Sequence, residues 1–166
     1  MKTVKFATGN DGKVEEVREA LRDTEYSVER VEVDIHEIDS GDVKEVAERK
    51  ASDSRDYAVD NGSLMTGEWI LVEDTGLYVE SIGGFPATHA SFFESTVGAE
   101  KLLDLMRDVE NRQAQFKSVF TLFNGKELKS FTGKMEGEIT ETPKGEAHPH
   151  LPYNSIFQPE GSDSTI

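Results

Sequence analysis

The chain has 166 residues, enough for one domain with a buried core. It carries 33 acidic against 18 basic residues, a formal net charge of −15, which repels nucleic acid and anionic membranes, so we expect neither as a partner. It has no cysteine, which excludes disulfides and thiolate chemistry, and no apolar run long enough to span a bilayer.

The sequence begins directly on a predicted strand, with no signal peptide apparent, and we expect a cytoplasmic protein. An acidic, strongly solvated surface is one way to stay soluble in concentrated salt. A salt-rich cytosol, as in a halophilic archaeon, is one interpretation of the charge. The other is a merely acidic protein from a cell of ordinary salinity.

Hydrophobic periodicity and turn residues predict a mixed α/β fold. In the first half we expect, in chain order, a strand at residues 4–7, a helix at 11–22, a strand at 27–34, a helix at 42–60, and strands at 69–73 and 76–81. In the second half we expect a helix at 98–109, strands at 116–123, 127–133 and 136–140, and a loop at 142–155. Asn124-Gly125 is typical of a hairpin turn.

The segment from Thr8 to Lys13 joins the first strand to the first helix. Free N–H groups and the positive end of the dipole favour an anion at a helix start. Thr8 and Asn10 add donors and Lys13 adds a positive charge, which predicts a phosphate site. The alternative is an ordinary helix start with Asn10 or Asp11 as the N-cap.

The adjacent acids Glu73 and Asp74 end a buried strand, followed by Thr75 and Gly76. Carboxylates there suit Mg²⁺ or Mn²⁺, or one of them can activate a water molecule. The alternative is a polar turn in which Asp74 binds local backbone.

Glu45 and Lys50 lie five residues apart on the second predicted helix, so they do not face each other, and by themselves they read as a solvated surface. His148 and His150, with His89 elsewhere, could bind zinc or manganese, but their loop lacks the spacing of helical ligands. His36 has no supporting context.

Taken together, these motifs resemble the ITP/XTP pyrophosphatases, which remove noncanonical purine nucleoside triphosphates. The resemblance covers essentially the whole chain, in the right order. The matching residues are Thr8, Gly9, Asn10, Lys13, Glu16, Glu45, Lys50, Ala51, Glu73, Asp74, Thr75, Gly76, Leu77, Val79, Gly84, Pro86, Phe131, Gly133, Gly137, Glu138, Ile139, Tyr153, Ile156, Phe157, Pro159, Glu160 and Gly161.

The resemblance implies one domain over residues 1–166, with an elongated, two-lobed α/β fold. A curved mixed sheet would be flanked by helices around a central cleft, and the protein would form a homodimer. The implied reaction converts an NTP and water into the NMP and pyrophosphate with Mg²⁺, or with Mn²⁺ as the alternative ion. The implied substrates are ITP, dITP and XTP.

The resemblance also implies roles for individual residues. Asp74 positions or activates the attacking water, with Glu73 beside it, and Asp74 and Glu45 bind the metal. The residues implied to bind the substrate are Thr8, Asn10, Lys13, Lys50, Thr75, Tyr153 and Asn154.

The departures from the family pattern cluster in the segments implied to hold the base. The usual G-F-G-Y-D-P-I-F becomes His150, Leu151, Pro152, Tyr153, Asn154, Ser155, Ile156 and Phe157. In the earlier G-x-P-G-x-Y-S segment, Ala87, His89 and Ala90 replace glycine, tyrosine and serine. If that glycine has a positive φ, Ala87 is strained there by about 1 kcal/mol or more. The sequence also ends at Ile166, before the family's S-H-R segment and last helix.

Three interpretations therefore remain. The first is a working pyrophosphatase with an altered base pocket. The second is a divergent, truncated homologue that binds a nucleotide or a partner with little or no hydrolysis. The third is a non-enzymatic acidic interaction protein, which explains the charge but not the ordered motifs.

Overall fold

A computed structural model gives the fold of this chain and describes residues 2–146 and 153–166. The strands are β1 (Lys2–Ala7), β2 (Tyr26–Val31), β3 (Ile70–Val79), β4 (Pro86–Ala87), β5 (Gln113–Phe123), β6 (Leu128–Ile139) and β7 (Phe157–Pro159). The helices are α1 (Asp11–Leu21), α2 (Val43–Asp60), α3 (Ala90–Val97) and α4 (Glu100–Leu105), with a 3₁₀ turn at Glu80–Ile82. In this part of the chain, no helix is both long and apolar enough to cross a bilayer.

The described strands form a mixed seven-stranded sheet in the order β2-β1-β3-β5-β6-β7, with β4 paired to β3. β1 is parallel to both β2 and β3, whereas β4 is antiparallel to β3 and β7 is antiparallel to β6. Parallel strands need crossover connections, and α1 and α2 provide them. The predicted class, a mixed sheet flanked by helices, is confirmed.

The chain divides into two compact units, and the first comprises the chain up to Ser40, Lys44–Asp74 and Val119–Thr132. Its sheet carries two buried apolar clusters, one packed with residues of each helix. One core cluster joins residues of α1 to the sheet, namely Phe6, Val14, Val17, Val28 and Leu71. The other joins residues of α2 to the sheet and contains Ala7, Val31, Ala51, Ala58, Leu64, Ile70 and Val72.

The second unit comprises Gly41–Val43, Thr75–Ser118 and the chain from Gly133 onward. Its core includes Leu77, Val79, Leu102, Met106, Ile139, Tyr153, Ile156 and Phe157. The rings of Phe116 and Phe157 meet edge to face, with centroids 4.8 Å apart. This unit therefore has an apolar core of its own.

The structure corrects the prediction of two separate strands at residues 69–73 and 76–81. β3 runs without a break from Ile70 to Val79. Gly76 is needed for close packing, since a Cβ there would lie 2.7 Å from Tyr78 Cε2 and 3.0 Å from the carbonyl oxygen of Ala87. The glycine therefore marks the approach of β4, and the polar-turn alternative for this segment is wrong.

The second half shows similar differences. The two strands predicted at 127–133 and 136–140 are replaced by one strand, β6, at Leu128–Ile139. A Cβ on Gly137 would lie 2.3 Å from the carbonyl oxygen of Gln158 in β7. The predicted helix at 98–109 spans only Glu100–Leu105, and the sequence did not reveal α3 or β7. These elements are short, and Gly98, with a φ of 89°, separates α3 from α4.

Ala87 adopts a left-handed backbone conformation, with a φ of 54°. This is the strain expected from the sequence, where alanine replaces the glycine of the family pattern. A Cβ disfavours this conformation, whereas glycine adopts it readily.

We predict that Ala87→Gly raises the free energy of unfolding by about 0.5–1 kcal/mol, because relief of the strain exceeds the added flexibility of the unfolded chain. Ala20→Gly on the exposed face of α1 is the matched control and should lower it by up to about 1 kcal/mol. Urea denaturation measures both changes. If Ala87→Gly destabilises the protein as Ala20→Gly does, Ala87 is not strained.

Candidate active site

The candidate site of the first unit lies where β1 ends, next to the middle of β3. The two strands are parallel and pair Phe6 with Leu71, so Thr8 and Glu73 each lie two residues beyond this pair. The carboxyl ends of parallel strands are where α/β proteins collect ligands. The sheet therefore brings the Thr8–Lys13 segment to the same edge as Glu73 and Asp74.

The start of α1 is capped by Asn10. Its Oδ1 accepts hydrogen bonds from the backbone N–H groups of Gly12 at 2.8 Å and Lys13 at 3.4 Å. Thr8 Oγ1 accepts from the N–H of Asn10 at 3.1 Å, and Arg30 Nε donates to the carbonyl oxygen of Thr8 at 3.0 Å. Asn10 is thus the N-cap that the sequence offered as the alternative, and the phosphate-binding role of this loop stays a prediction.

Lys13 forms an ion pair with Glu73. The Glu73 side chain is only 5% exposed and that of Lys13 is 29% exposed, so this pair is largely removed from water. A buried carboxylate is costly without such a partner. The first turn of α1 therefore places its lysine in direct contact with a buried acid of β3.

Lys50, on α2, joins a second group of charges. Its Nζ lies 2.5 Å from Glu37 Oε1 and 3.9 Å from Asp74 Oδ1, and both the Lys50 and Asp74 side chains are about 15% exposed. Glu37 was not among the predicted site residues. Glu45 accepts a hydrogen bond from Ser40 Oγ at 2.7 Å, and its predicted role as a metal ligand stays a prediction.

Asp74 has the most perturbed carboxyl group at this edge. Burial raises its pKa from the ordinary value of 3.8 to about 6, opposed by Lys50 and Lys13 and reinforced by Glu37 and Glu73. Its Oδ2 is buried and has no hydrogen-bond partner among the described residues. An ionised carboxylate with a free oxygen and a pKa near neutrality suits proton transfer or cation binding.

Metal ligation by several side chains is not preformed here. In residues 2–146 and 153–166, no group of three or more histidines and acids is arranged to hold an ion. His148 and His150 lie outside the described residues, as do Leu151 and Pro152 of the altered base motif. A cation at Asp74 would therefore need ligands besides the described histidines and acids to complete its coordination.

The remaining predicted substrate residues belong to the second unit. Thr75 Oγ1 lies 2.6 Å from Ser118 Oγ. Tyr153 is buried and donates its hydroxyl to the carbonyl oxygen of Ala90 at 2.6 Å, and burial raises the pKa of this hydroxyl. Asn154 Nδ2 donates to the carbonyl oxygen of Glu146 at 3.0 Å. Their roles toward substrate stay predictions.

Comparison with known proteins assigns the family. The model of the Ham1 family matches residues 4–166. The chain belongs to the Ham1 family. It is 37% identical over 165 residues to a dITP/XTP pyrophosphatase from Hyperthermus butylicus, covering 99% of this chain and 82% of that protein. It is 38% identical to a dITP/XTP pyrophosphatase from Methanopyrus kandleri, covering 98% and 82%.

A solved structure agrees with this assignment. The Ham1 protein of Staphylococcus aureus superposes with a TM-score of 0.79 at 25% identity, over 99% of this chain and 84% of that one. The family resemblance drawn from the motifs is therefore confirmed, together with the fold class.

We predict that Asp74→Asn stabilises the metal-free protein at neutral pH. Because the folded-state pKa is raised to about 6, the folded protein binds more protons than the unfolded chain between pH 4 and 6. Stability from this group is therefore present at low pH and declines as pH rises through 6. The variant lacks this decline, so its advantage should grow from pH 4 to 7 by up to roughly 3 kcal/mol.

Urea denaturation at several pH values in the presence of a chelator measures this difference. Other acids titrate in both proteins and cancel in the comparison. A stability difference that does not change between pH 4 and 7 would mean that Asp74 titrates as an ordinary exposed carboxyl.

Proposed function

We propose that this chain is a hydrolase that converts noncanonical purine nucleoside triphosphates (ITP, dITP and XTP) into the monophosphate and pyrophosphate. Its Ham1 relatives from Hyperthermus butylicus and Methanopyrus kandleri carry the name dITP/XTP pyrophosphatase. Attack of water at the α-phosphorus would make pyrophosphate the leaving group.

The observation that carries the proposal is the pairing of two lysines with carboxylates at one edge of the sheet. Lys13 forms an ion pair with buried Glu73, and Lys50 forms one with Glu37 and lies close to Asp74. A triphosphate brings negative charge that can replace Glu73 and Glu37 as the partner of these lysines. In a chain with a net charge of −15, such a local cation pair is what makes binding of a polyanion feasible.

The reaction needs a water molecule that loses a proton as it attacks. We assign this proton to Asp74, whose pKa of about 6 leaves it ionised at pH 7.5 yet basic enough to accept a proton. The water oxygen bonds to the α-phosphorus while the bond to the oxygen bridging the α- and β-phosphorus breaks, and pyrophosphate leaves with that oxygen. Lys13 and Lys50 would stabilise the charge on the phosphate oxygens.

Mg²⁺ fits the donor set, with Mn²⁺ as the alternative. The Oδ2 of Asp74 is buried, has no hydrogen-bond partner among residues 2–146 and 153–166, and is a hard oxygen ligand. Mg²⁺ commonly takes one or two carboxylates and completes its shell with substrate phosphates and water. Asp74 would hold the ion. The second acid would be Glu45, from the resemblance, or Glu37, which lies on Lys50. The ion would neutralise charge on the phosphates when bound.

A second candidate is nucleotide binding with little hydrolysis. It is favoured by the second unit, where Ala87 is strained and the polar groups of Tyr153 and Asn154 bind backbone carbonyls. These positions belong to the altered base motifs, so base preference is the property most affected.

Three further properties belong to the proposal. We expect a homodimer, from the resemblance, and a cytoplasmic location, because nucleoside triphosphates are made and used there. The acidic composition supports a salt-rich source, which predicts activity that is retained in molar salt.

We predict that the protein releases pyrophosphate from ITP, dITP or XTP with Mg²⁺ and that chelation of Mg²⁺ abolishes the release. Asp74→Asn and Lys13→Ala should each lower kcat/KM by 100-fold or more, on the order of 3 kcal/mol of transition-state stabilisation. A coupled pyrophosphate assay over a panel of NTPs, in low and molar salt, measures these changes.

Lys2→Ala is the matched control, because Lys2 forms an exposed ion pair with Glu25, and its activity should equal that of wild type. Asp74→Asn controls for folding, since it is expected to be stable. Glu37→Gln and Glu45→Gln are then compared. The variant that needs more Mg²⁺ for half-maximal activity identifies the second acid that binds the ion. Equal rates for wild type, Asp74→Asn and Lys13→Ala would contradict the hydrolase, and nucleotide binding without turnover would favour the second candidate.

A further inference from the structure

The guanidinium group of Arg30 connects strand β2 to two points of the Thr8–Lys13 segment. Its Nε donates to the carbonyl oxygen of Thr8 at 3.0 Å, and its Nη1 pairs with the carboxylate of Asp11, the first residue of α1. The Arg30 side chain is 30% exposed, so these contacts are partly shielded from water. A guanidinium presents its donors in a rigid fork, so one side chain fixes these two points relative to each other.

Arg30 has a firm base for this role. β1 and β2 are parallel and pair Arg30 with Phe6, which is fully buried in the core cluster shared with α1. The Nη2 of Arg30 also lies 3.4 Å from a carboxylate oxygen of Glu32, which helps to orient the guanidinium group. A side chain carried by a paired strand positions its partners more precisely than one carried by a loop.

The segment itself has little packing that could hold it. Gly9 and Asn10 are exposed, and a Cβ added to Gly9 would have no atom within 4 Å. The hydrogen bonds from the N–H of Asn10 to Thr8 Oγ1 and from the N–H of Gly12 to Asn10 Oδ1 are local. They give the segment its shape but do not attach it to the sheet.

The ion pair of Lys13 with Glu73 does attach the segment to the sheet, but the proposed function breaks this link. A triphosphate would replace Glu73 as the partner of Lys13. Arg30 contacts the carbonyl oxygen of Thr8 and the carboxylate of Asp11, and neither group is assigned to the substrate. The contacts of Arg30 can therefore persist when the substrate binds.

We infer that Arg30 is a positioning residue that holds the Thr8–Lys13 segment in place while Lys13 exchanges Glu73 for a phosphate of the substrate. This inference rests on the proposed function. Arg30 does not touch the substrate. It keeps the segment in its binding conformation in the free protein, which reduces the conformational entropy lost when the polyanion binds.

The test compares Arg30→Met with wild type on a nucleotide that the wild-type protein hydrolyses. Methionine keeps a long side chain without a donor. KM should rise about tenfold with kcat within about twofold, because the segment binds the phosphates equally before and during the reaction. A smaller folded fraction would instead lower the apparent kcat and leave KM unchanged. Arg30→Lys keeps the charge but lacks the fork, so its KM should stay at least about threefold above wild type.

Lys5→Gln is the matched control. Lys5 Nζ lies 2.7 Å from Glu29 Oε1, so this variant also removes a positive charge and an ion pair between β1 and β2. Neither of these residues belongs to the Thr8–Lys13 segment, and KM should equal that of wild type. A wild-type KM in Arg30→Met, or an equal rise in Lys5→Gln, would overturn the inference. Full restoration of KM in Arg30→Lys would also overturn it, because charge alone would then suffice.

Amide hydrogen exchange, measured by NMR without any ligand, separates failure of this inference from failure of the proposed function. The N–H groups of Gly12 and Lys13 are bonded to Asn10 Oδ1, and their exchange should become about tenfold faster in Arg30→Met. It should not change in Lys5→Gln. The N–H of Val72, a buried residue of β3, should exchange as in wild type in both variants.

Unchanged exchange at Gly12 and Lys13 in Arg30→Met would overturn the inference even if the protein hydrolyses nucleotides. Equally faster exchange at Val72 would overturn it as well, because Arg30 would then act on the stability of the whole fold. Faster exchange confined to the segment, in a protein that releases no pyrophosphate from any nucleotide, would reject the hydrolase and still support Arg30 as the residue that holds the segment.

Discussion

The site depends on the burial of charge in the middle of β3, next to the end of β1. Glu73 and Asp74 lie between the apolar residues at the start of β3 and those at its end, and neither carboxylate is well hydrated. Each therefore needs a cation, and the flanking helices supply one each: Lys13 from α1 and Lys50 from α2. These charges also suit the proposed reaction, because two lysines that neutralise carboxylates in the free protein can neutralise phosphates in the complex.

Asp74 has a negative charge that its surroundings disfavour, and this suits the proposed transfer of a proton to its carboxylate. Burial disfavours its charge more than Lys50 and Lys13 favour it, so its pKa is raised to about 6. Such a cost to stability is typical of groups in functional sites and supports the proposed role of Asp74. The strongly acidic surface around such a site makes the local cations more important, since the rest of the chain repels a triphosphate.

The sequence predicted the parts of the site that follow from local order and failed where tertiary packing decides. The helix start at Asn10 and Lys13 and the acids of β3 could be found because each joins a regular element. Glu37 could not, because it lies in the irregular stretch between β2 and α2 among several other acids. Gly76 looks in the sequence like the start of a separate strand, because nothing there reveals that β4 packs against it. The strain at Ala87 was foreseen because a family pattern, rather than propensity, marked the position.

The most direct test of this account is the titration of the Asp74 carboxyl carbon by ¹³C NMR. It is carried out first in the metal-free protein and then after addition of Mg²⁺ and pyrophosphate. The account predicts a midpoint near pH 6 without ligands. It also predicts a fall of the midpoint when the cation and phosphate bind, because a cation at the free carboxylate oxygen favours the ionised form. A midpoint at the ordinary value near 4 that does not respond to Mg²⁺ and pyrophosphate would contradict it.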